Sequence, residues 1–212
     1  MWLIDDTYFT GDYIIPNKVQ IDVGGGSSDS LDYWIDKYAR QPMKYALGDT
    51  LYADFITNID GSGNYVAGVT KWDNLVNGVS YTYSGNTYKW EGLLQVEGSY
   101  KQSLLTPYVY TNYLRDKTSR LSGVGEVKQS AVNGQNVNST QRYVRSWNDF
   151  VKRYQHSHET TPKLTYVQGI PFLDWSGNET TFVSMITFLM HNESDYEDAD
   201  LGLYDYQNSL GL

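Results

Sequence analysis

The sequence predicts an α+β fold, mainly helical: a small helical bundle with an inserted aromatic β-hairpin and extended N- and C-terminal arms. Three observations lead there. Residues 139–156 place Tyr143, Val144, Trp147, Phe150, Val151 and Tyr154 at i, i+1, i+4, i+7, i+8 and i+11, the period of an amphipathic helix. Residues 79–91 alternate instead, with Val79, Tyr81 and Tyr83 before a Gly85-Asn86 turn and Tyr88 and Trp90 after it. Both chain ends carry apolar residues in neither period, from Leu3 to Ile15 and from Tyr196 to Leu210.

Taken in order, Leu3-Ile4, Tyr8-Phe9 and Tyr13-Ile14-Ile15, interrupted by Gly11 and Pro16, read as an arm that crosses to a neighbour or lies flat on its own domain. Gly24 to Ser30 supplies a turn and candidate N-caps for a helix on Leu31, Trp34, Ile35 and Tyr38. Pro42 is expected to kink or restart that helix, after which Met43 to about Ile59 continues on Leu47, Leu51, Phe55 and Ile59. Asp60-Gly61-Ser62-Gly63-Asn64 is a turn cluster before the hairpin. A second helical region is predicted over roughly 97–119, on Tyr100, Leu104, Val109, Tyr113 and Leu114, with Thr106-Pro107 kinking it or capping a fresh start. Gly123 to Val127 reads as a short glycine-flanked strand or loop. The 139–156 helix follows, with Arg142, Arg145, Lys152 and Arg153 on its other face. Within an irregular stretch, Leu164 to Val167 is a strand candidate, and a fourth helix is predicted over about 179–191, capped by Asn178 or Ser176. This organises the chain as a helical domain over 1–160 with its hairpin at 79–91, and a C-terminal extension over 161–212 with a short helix and an acidic aromatic tail.

Composition narrows the function. Twenty tyrosines and 6 tryptophans offer large apolar area with a polar tip, a combination enriched where proteins meet. Without cysteine there is no disulfide, thiol nucleophile or thiolate metal site. The net charge of −9 is polarised: residues 100–154 hold nine Lys and Arg against Asp116, Glu126 and Asp149, which makes that stretch +6 and the rest −15. Opposite charges on separate regions favour docking between neighbouring copies over general nucleic-acid binding. The last 20 residues carry six acidic groups and no basic one, and their tyrosines and leucines suggest a segment that docks on a basic, apolar groove or stays partly disordered. No apolar run approaches the roughly 20 residues of a membrane span, and Met1 to Asp6 lacks a basic region before a hydrophobic one, so neither membrane nor export is expected.

No catalytic, cofactor-binding or metal-binding residue is predicted. His156-Ser157-His158 with Glu159 is the nearest to a metal site, but it reads better as a polar helix terminus, where histidine also suits the dipole; His191 reads the same way. Asn58 to Asn64 mimics the start of a calcium loop, yet Val69 occupies the position that needs a bidentate glutamate. Gly24-Gly25-Gly26-Ser27-Ser28 lacks the lysine of a phosphate loop and reads as a linker. Asp5-Asp6 and the carboxylates from Glu193 to Asp200 read as solvated charge, and no serine sits in a nucleophile elbow. Two surfaces remain. Tyr81, Tyr83, Tyr88 and Trp90 form an aromatic face that must pack on helices, on added strands or on a second subunit, because a lone hairpin is marginal in water. Arg142, Arg145, Lys152 and Arg153 form a basic face that reads as a solvated helix face or an intersubunit salt-bridge surface ahead of one that meets DNA phosphates.

Three pieces in this order carry a resemblance: Trp72-x-x-Leu75-x-x-Gly78-x-x-Tyr81 continuing to Tyr88-x-Trp90-x-Gly92-Leu93; Tyr108-Val109-Tyr110 with Tyr113-Leu114; and Gly123 to Lys128 followed by Arg142-Tyr143 and Trp147-Asn148. Over about 70–155 the chain resembles the head–tail connector (adaptor or ring) proteins of tailed bacteriophages infecting Bacteroidetes, of the crAss-like type. The resemblance implies a virion structural protein, not an enzyme, that forms a ring, commonly twelvefold, beneath the portal and around the DNA channel. It implies as partners copies of itself, the portal protein and other tail or ring proteins, with non-specific contact to phage DNA and no cofactor. The long region from about 160 onward departs from the simplest adaptors. Two other readings compete: a carbohydrate-binding or adhesin module, because aromatic rings stack on sugars, and a tail lysin, for which no residue stands out.

Overall fold

A computed structural model describes residues 2–15, 31–117, 120–122, 125–127, 140–155, 170–173 and 179–207. Among them the fold is α+β, with six α-helices, a four-stranded sheet and two separate two-stranded hairpins. The arm lies on its own domain. Trp2, Ile4, Phe9 and Ile15 are buried, Trp2 meets Phe55 edge-on at 6.2 Å, and the N–H of Leu3 donates to the Gly63 carbonyl at 2.8 Å.

Helix α1 (Leu31–Tyr38) buries Leu31, Trp34, Ile35 and Tyr38, the four residues its period assigns to one face. Helix α2 (Arg40–Ile56) restarts one residue later with Pro42 in its first turn, where a missing N–H costs nothing. The break falls at Gly48, whose φ of 73° and ψ of 175° interrupt the helix and free the carbonyls of the preceding turn. Leu47, Leu51 and Phe55 are buried as expected, while Ile59 lies past the helix end and bridges to Tyr65.

Helix α3 (Thr70–Asn77) leads through Gly78 into the hairpin of β1 (Val79–Tyr83) and β2 (Asn86–Trp90). The turn residues are Ser84 and Gly85, both at positive φ, and Asn86 pairs with Tyr83. The turn therefore lies one residue earlier than the sequence suggests, because a two-residue turn of this hand puts both central residues in the left-handed region.

The helix expected from residue 97 is corrected. Residues 94–103 form a hairpin of β3 (Leu94–Glu97) and β4 (Tyr100–Ser103), with Gly98 at positive φ in its turn. Tyr100 and Leu104 mimic an i, i+4 helical pair, but Gly98 closes a tight turn, and Ser103 Oγ then accepts from the Leu105 N–H at 3.0 Å to start α4 (Leu105–Lys117). Strands β5 (Arg120–Ser122) and β6 (Gly125–Val127) pair next, and α5 (Thr140–Gln155) forms as its period predicts.

A second correction falls at the fourth helix. Glu179–Phe182 is a strand, β8, and only Met185–His191 is helical, as α6, capped by Ser184 in place of Asn178 or Ser176. Strand β8 pairs antiparallel with β7 (Ile170–Leu173) and parallel with β2, giving the order β1-β2-β8-β7. The extended state of β8 depends on a partner distant in sequence. The strand proposed at Leu164 to Val167 lies outside the described residues. One cluster of buried apolar side chains runs from Trp2 through Phe55, Trp72, Trp90 and Phe150 to Phe188 and Tyr196, so the C-terminal extension shares the core of the preceding segment.

Candidate functional site

The motif from Trp72 to Leu93 folds as one local unit. Trp72, Leu75 and Leu93 are fully buried, the Trp90 indole N–H donates to the Leu75 carbonyl at 2.9 Å, and the Leu93 N–H donates to the same oxygen at 3.1 Å. Gly78 and Gly92, both at positive φ, let the chain pass itself there. A Cβ on Gly78 would lie 2.6 Å from the Trp90 carbonyl oxygen, and one on Gly92 would lie 2.6 Å from Gly78 N. Each fixed residue of this motif thus has a folding role.

The aromatic face of the hairpin is spoken for within the chain. Trp90 is 4% exposed and stacks on Phe188 of α6 at 5.9 Å. Tyr81 hydrogen-bonds His191 Nδ1 at 3.0 Å, Tyr83 stacks on the same imidazole at 3.9 Å, and Tyr88 meets it edge-on at 4.8 Å. Of the four residues assigned to a subunit contact, Tyr83 is the one with a large open surface, at 42%. Beside it, β1 forms one edge of the sheet and carries no charged side chain.

His191 does end a helix, but burial dominates over the dipole and pushes the imidazole below its ordinary value. The unfolded imidazole titrates near about 6.5. As pH falls, the unfolded chain takes up that proton first, so the stability linked to His191 is complete above about pH 6.5 and declines below it. Urea midpoints at about pH 8 and about pH 5.5 should differ more for the native chain than for His191→Asn, which removes this proton.

The basic face splits into two groups. Arg145 pairs with Asp12 of the arm at 2.8 Å, and Asp149, set among the cations, accepts from the Tyr13 hydroxyl at 3.0 Å. Arg153 donates to Gln102 Oε1 at 3.2 Å, and with Lys152 it lines a cleft of about 600 Å³ between the arm, β4 and α5. Arg142 and Lys152 are exposed residues. The arm therefore neutralises part of the surface that could face phosphate.

The Asp60 carboxylate is spent on its own turn, accepting from the Ser62 and Asn64 N–H groups at 2.8 Å each, and these bonds hold it below the usual carboxylate range. No group of three or more acidic or histidine side chains suited to a metal occurs among the described residues. His156, His158 and the Gly24 to Ser28 segment lie outside them. Among the described residues, no helix is long and apolar enough to cross a membrane.

The tail, expected either to dock on a basic, apolar groove or to stay partly disordered, docks over residues 201–207 by a chemistry other than charge. Residues 201–207 lie as a strap across α2 and α5. At the Gly48 break, the N–H groups of Leu201 and Gly202 donate to the freed carbonyls of Ala46 and Tyr45, at 2.9 and 3.1 Å. Gln155 then grips both backbone groups of Tyr204, at 2.7 Å each, and Asn148 grips both of Gln207, at 2.9 Å each. The spacing fits: seven residues of helix rise about 10.5 Å, and three of extended chain span about 10 Å. Trp147 and Tyr154 add bonds to the carbonyls of Asp205 and Gly202. The Tyr204 ring fills a box of Tyr45, Tyr108, Trp147, Phe150 and Tyr154, with centroids 5.0 to 5.9 Å away. Among the described residues, no ion pair joins a strap carboxylate to the basic residues of α5; backbone recognition, not charge, seats the strap. Comparison with protein-family models, curated proteins and solved structures finds no match for the chain.

Proposed function

We propose that this chain is a structural subunit of a phage head–tail connector ring, a virion component that joins the portal to the tail and surrounds the DNA channel. The observation that carries the reading is the ordered set of motifs from Trp72 to Asn148, and the packing of α4 on α5 together with the Trp72 to Leu93 unit is consistent with it. In this reading the helices form a small bundle, the hairpin is an insertion, and the ends are arms. The polarised charge, +6 over residues 100–154 against −15 elsewhere, supplies complementary surfaces for neighbouring copies. Exposed Arg142 and Lys152 are the cations left to face DNA or a neighbour. The role proposed is assembly and not catalysis, with no cofactor. A glycan-binding module is the weaker alternative, because Trp90, the best stacking platform in the hairpin, is buried.

Co-expression with the cognate portal protein followed by native mass measurement tests the reading. A complex holding many copies of this chain per portal is expected. Monomer alone, both by itself and with portal, overturns it.

A further inference from the structure

We propose that the groove formed by α5 and the Gly48 break of α2 accepts the strap, residues 201–207, from a second copy of this chain, so that neighbouring subunits are joined by exchanged C-terminal segments. This deepens the assembly reading and rests on it for the presence of a neighbour.

Three features support exchange. The groove recognises the strap through its backbone, the Tyr204 ring and the Gln207 side-chain amide, so an identical strap arriving from another chain makes the same bonds. The strap leaves the body just after a firm anchor: Tyr196 is buried against Trp72 and Phe188, and its hydroxyl donates to the Lys71 carbonyl. Between anchor and strap lies Glu197-Asp198-Ala199-Asp200, three carboxylates in four residues, folded back by an Ala199 N–H bond to the Tyr196 carbonyl at 3.0 Å. Like charges in a linker favour its extension. Leu201, the first strap residue where the hinge ends, sits at a φ of 50°, a left-handed conformation that leucine disfavours. The hinge is thus bent against its own preferences, the condition under which identical chains trade elements.

The groove is self-complementary in a directional sense: each copy donates from one place and receives at another. Such a contact closes into a ring when the rotation between copies permits.

The chain contains no cysteine, so introduced thiols report cleanly. Gln207 Nε2 donates to the Tyr143 hydroxyl at 2.9 Å, which makes these two positions neighbours across the strap contact. Full-length chains carrying Gln207→Cys alone are mixed with chains carrying Tyr143→Cys alone, at high concentration, and treated with a short bismaleimide. A chain carrying both substitutions serves as the control for contact within one molecule. Exchange predicts that monomer shifts to a crosslinked band of two chains in the mixture. It also predicts a larger shift when Asp198 and Ala199 are deleted, because the shortened hinge no longer reaches its own groove. Crosslinking confined to the doubly substituted chain, with none between chains, overturns the proposal, and the native-hinge mixture decides this even if the deletion impairs folding. The experiment contains no portal, so failure of exchange is distinguishable from failure of the connector reading.

Discussion

Trp72→Ala is expected to cost about 3–5 kcal/mol of folding stability, among the largest effects of any single side chain here. Trp72 is fully buried, meets Phe55 at 5.2 Å and Tyr196 at 5.8 Å, and so ties α3 to α2 and to the anchor of the C-terminal strap. Its indole N–H has no partner among the described residues. Trp72→Phe therefore forfeits no hydrogen bond and should cost well under half as much as Trp72→Ala. Urea denaturation of both variants, followed by circular dichroism, measures the difference.

Gly92→Ala is expected to cost at least about 2 kcal/mol, through backbone strain at positive φ together with overpacking. Gly92 sits at a φ of 91°, and a Cβ there would lie 2.6 Å from the Asn77 carbonyl carbon and from Gly78 N. Neither atom can move without shifting the α3–β1 junction. Gly85→Ala separates the two contributions. Gly85 also has positive φ, at 81°, but a Cβ there meets nothing within 4 Å, so only strain of about 1 kcal/mol is expected. Equal losses at the two glycines would contradict the close-approach account.

Core packing and close backbone approach together account for the regular Trp72 to Leu93 pattern. Its tryptophans and leucines fill one core, its glycines let two backbone segments touch, and both the Trp90 indole and the Leu93 amide close on the Leu75 carbonyl.

Much of the fold was legible where local period and tertiary environment agree. The buried face of α1 and the body of α5 follow from i, i+3 and i+4 spacing, and β1–β2 follows from strict alternation around a turn. Legibility failed where the deciding partner lies elsewhere in the chain. Residues 97–103 carry a helical coincidence at Tyr100 and Leu104 that a single turn glycine overrides. Glu179–Phe182 is extended because β2 and β7 flank it. At the candidate surfaces, alternation identified the aromatic residues but not the helix that covers them. Asn148 and Gln155 read as ordinary polar helix positions, and only the strap laid across them reveals paired amides spaced to match an extended chain. The helix restarts close to Pro42 as expected, with the proline tolerated in a first turn, but the break at Gly48 left no local signal, because the segment that caps its freed carbonyls is distant in the chain.

Under the proposed function, this chain builds a ring around a channel. Negative-stain imaging of the purified chain assembled with the portal protein tests it most directly. Closed rings of one copy number, stacked coaxially on the portal with an open central channel, are expected. Portal particles bearing none of this chain, or the chain in open filaments without a channel, would contradict it.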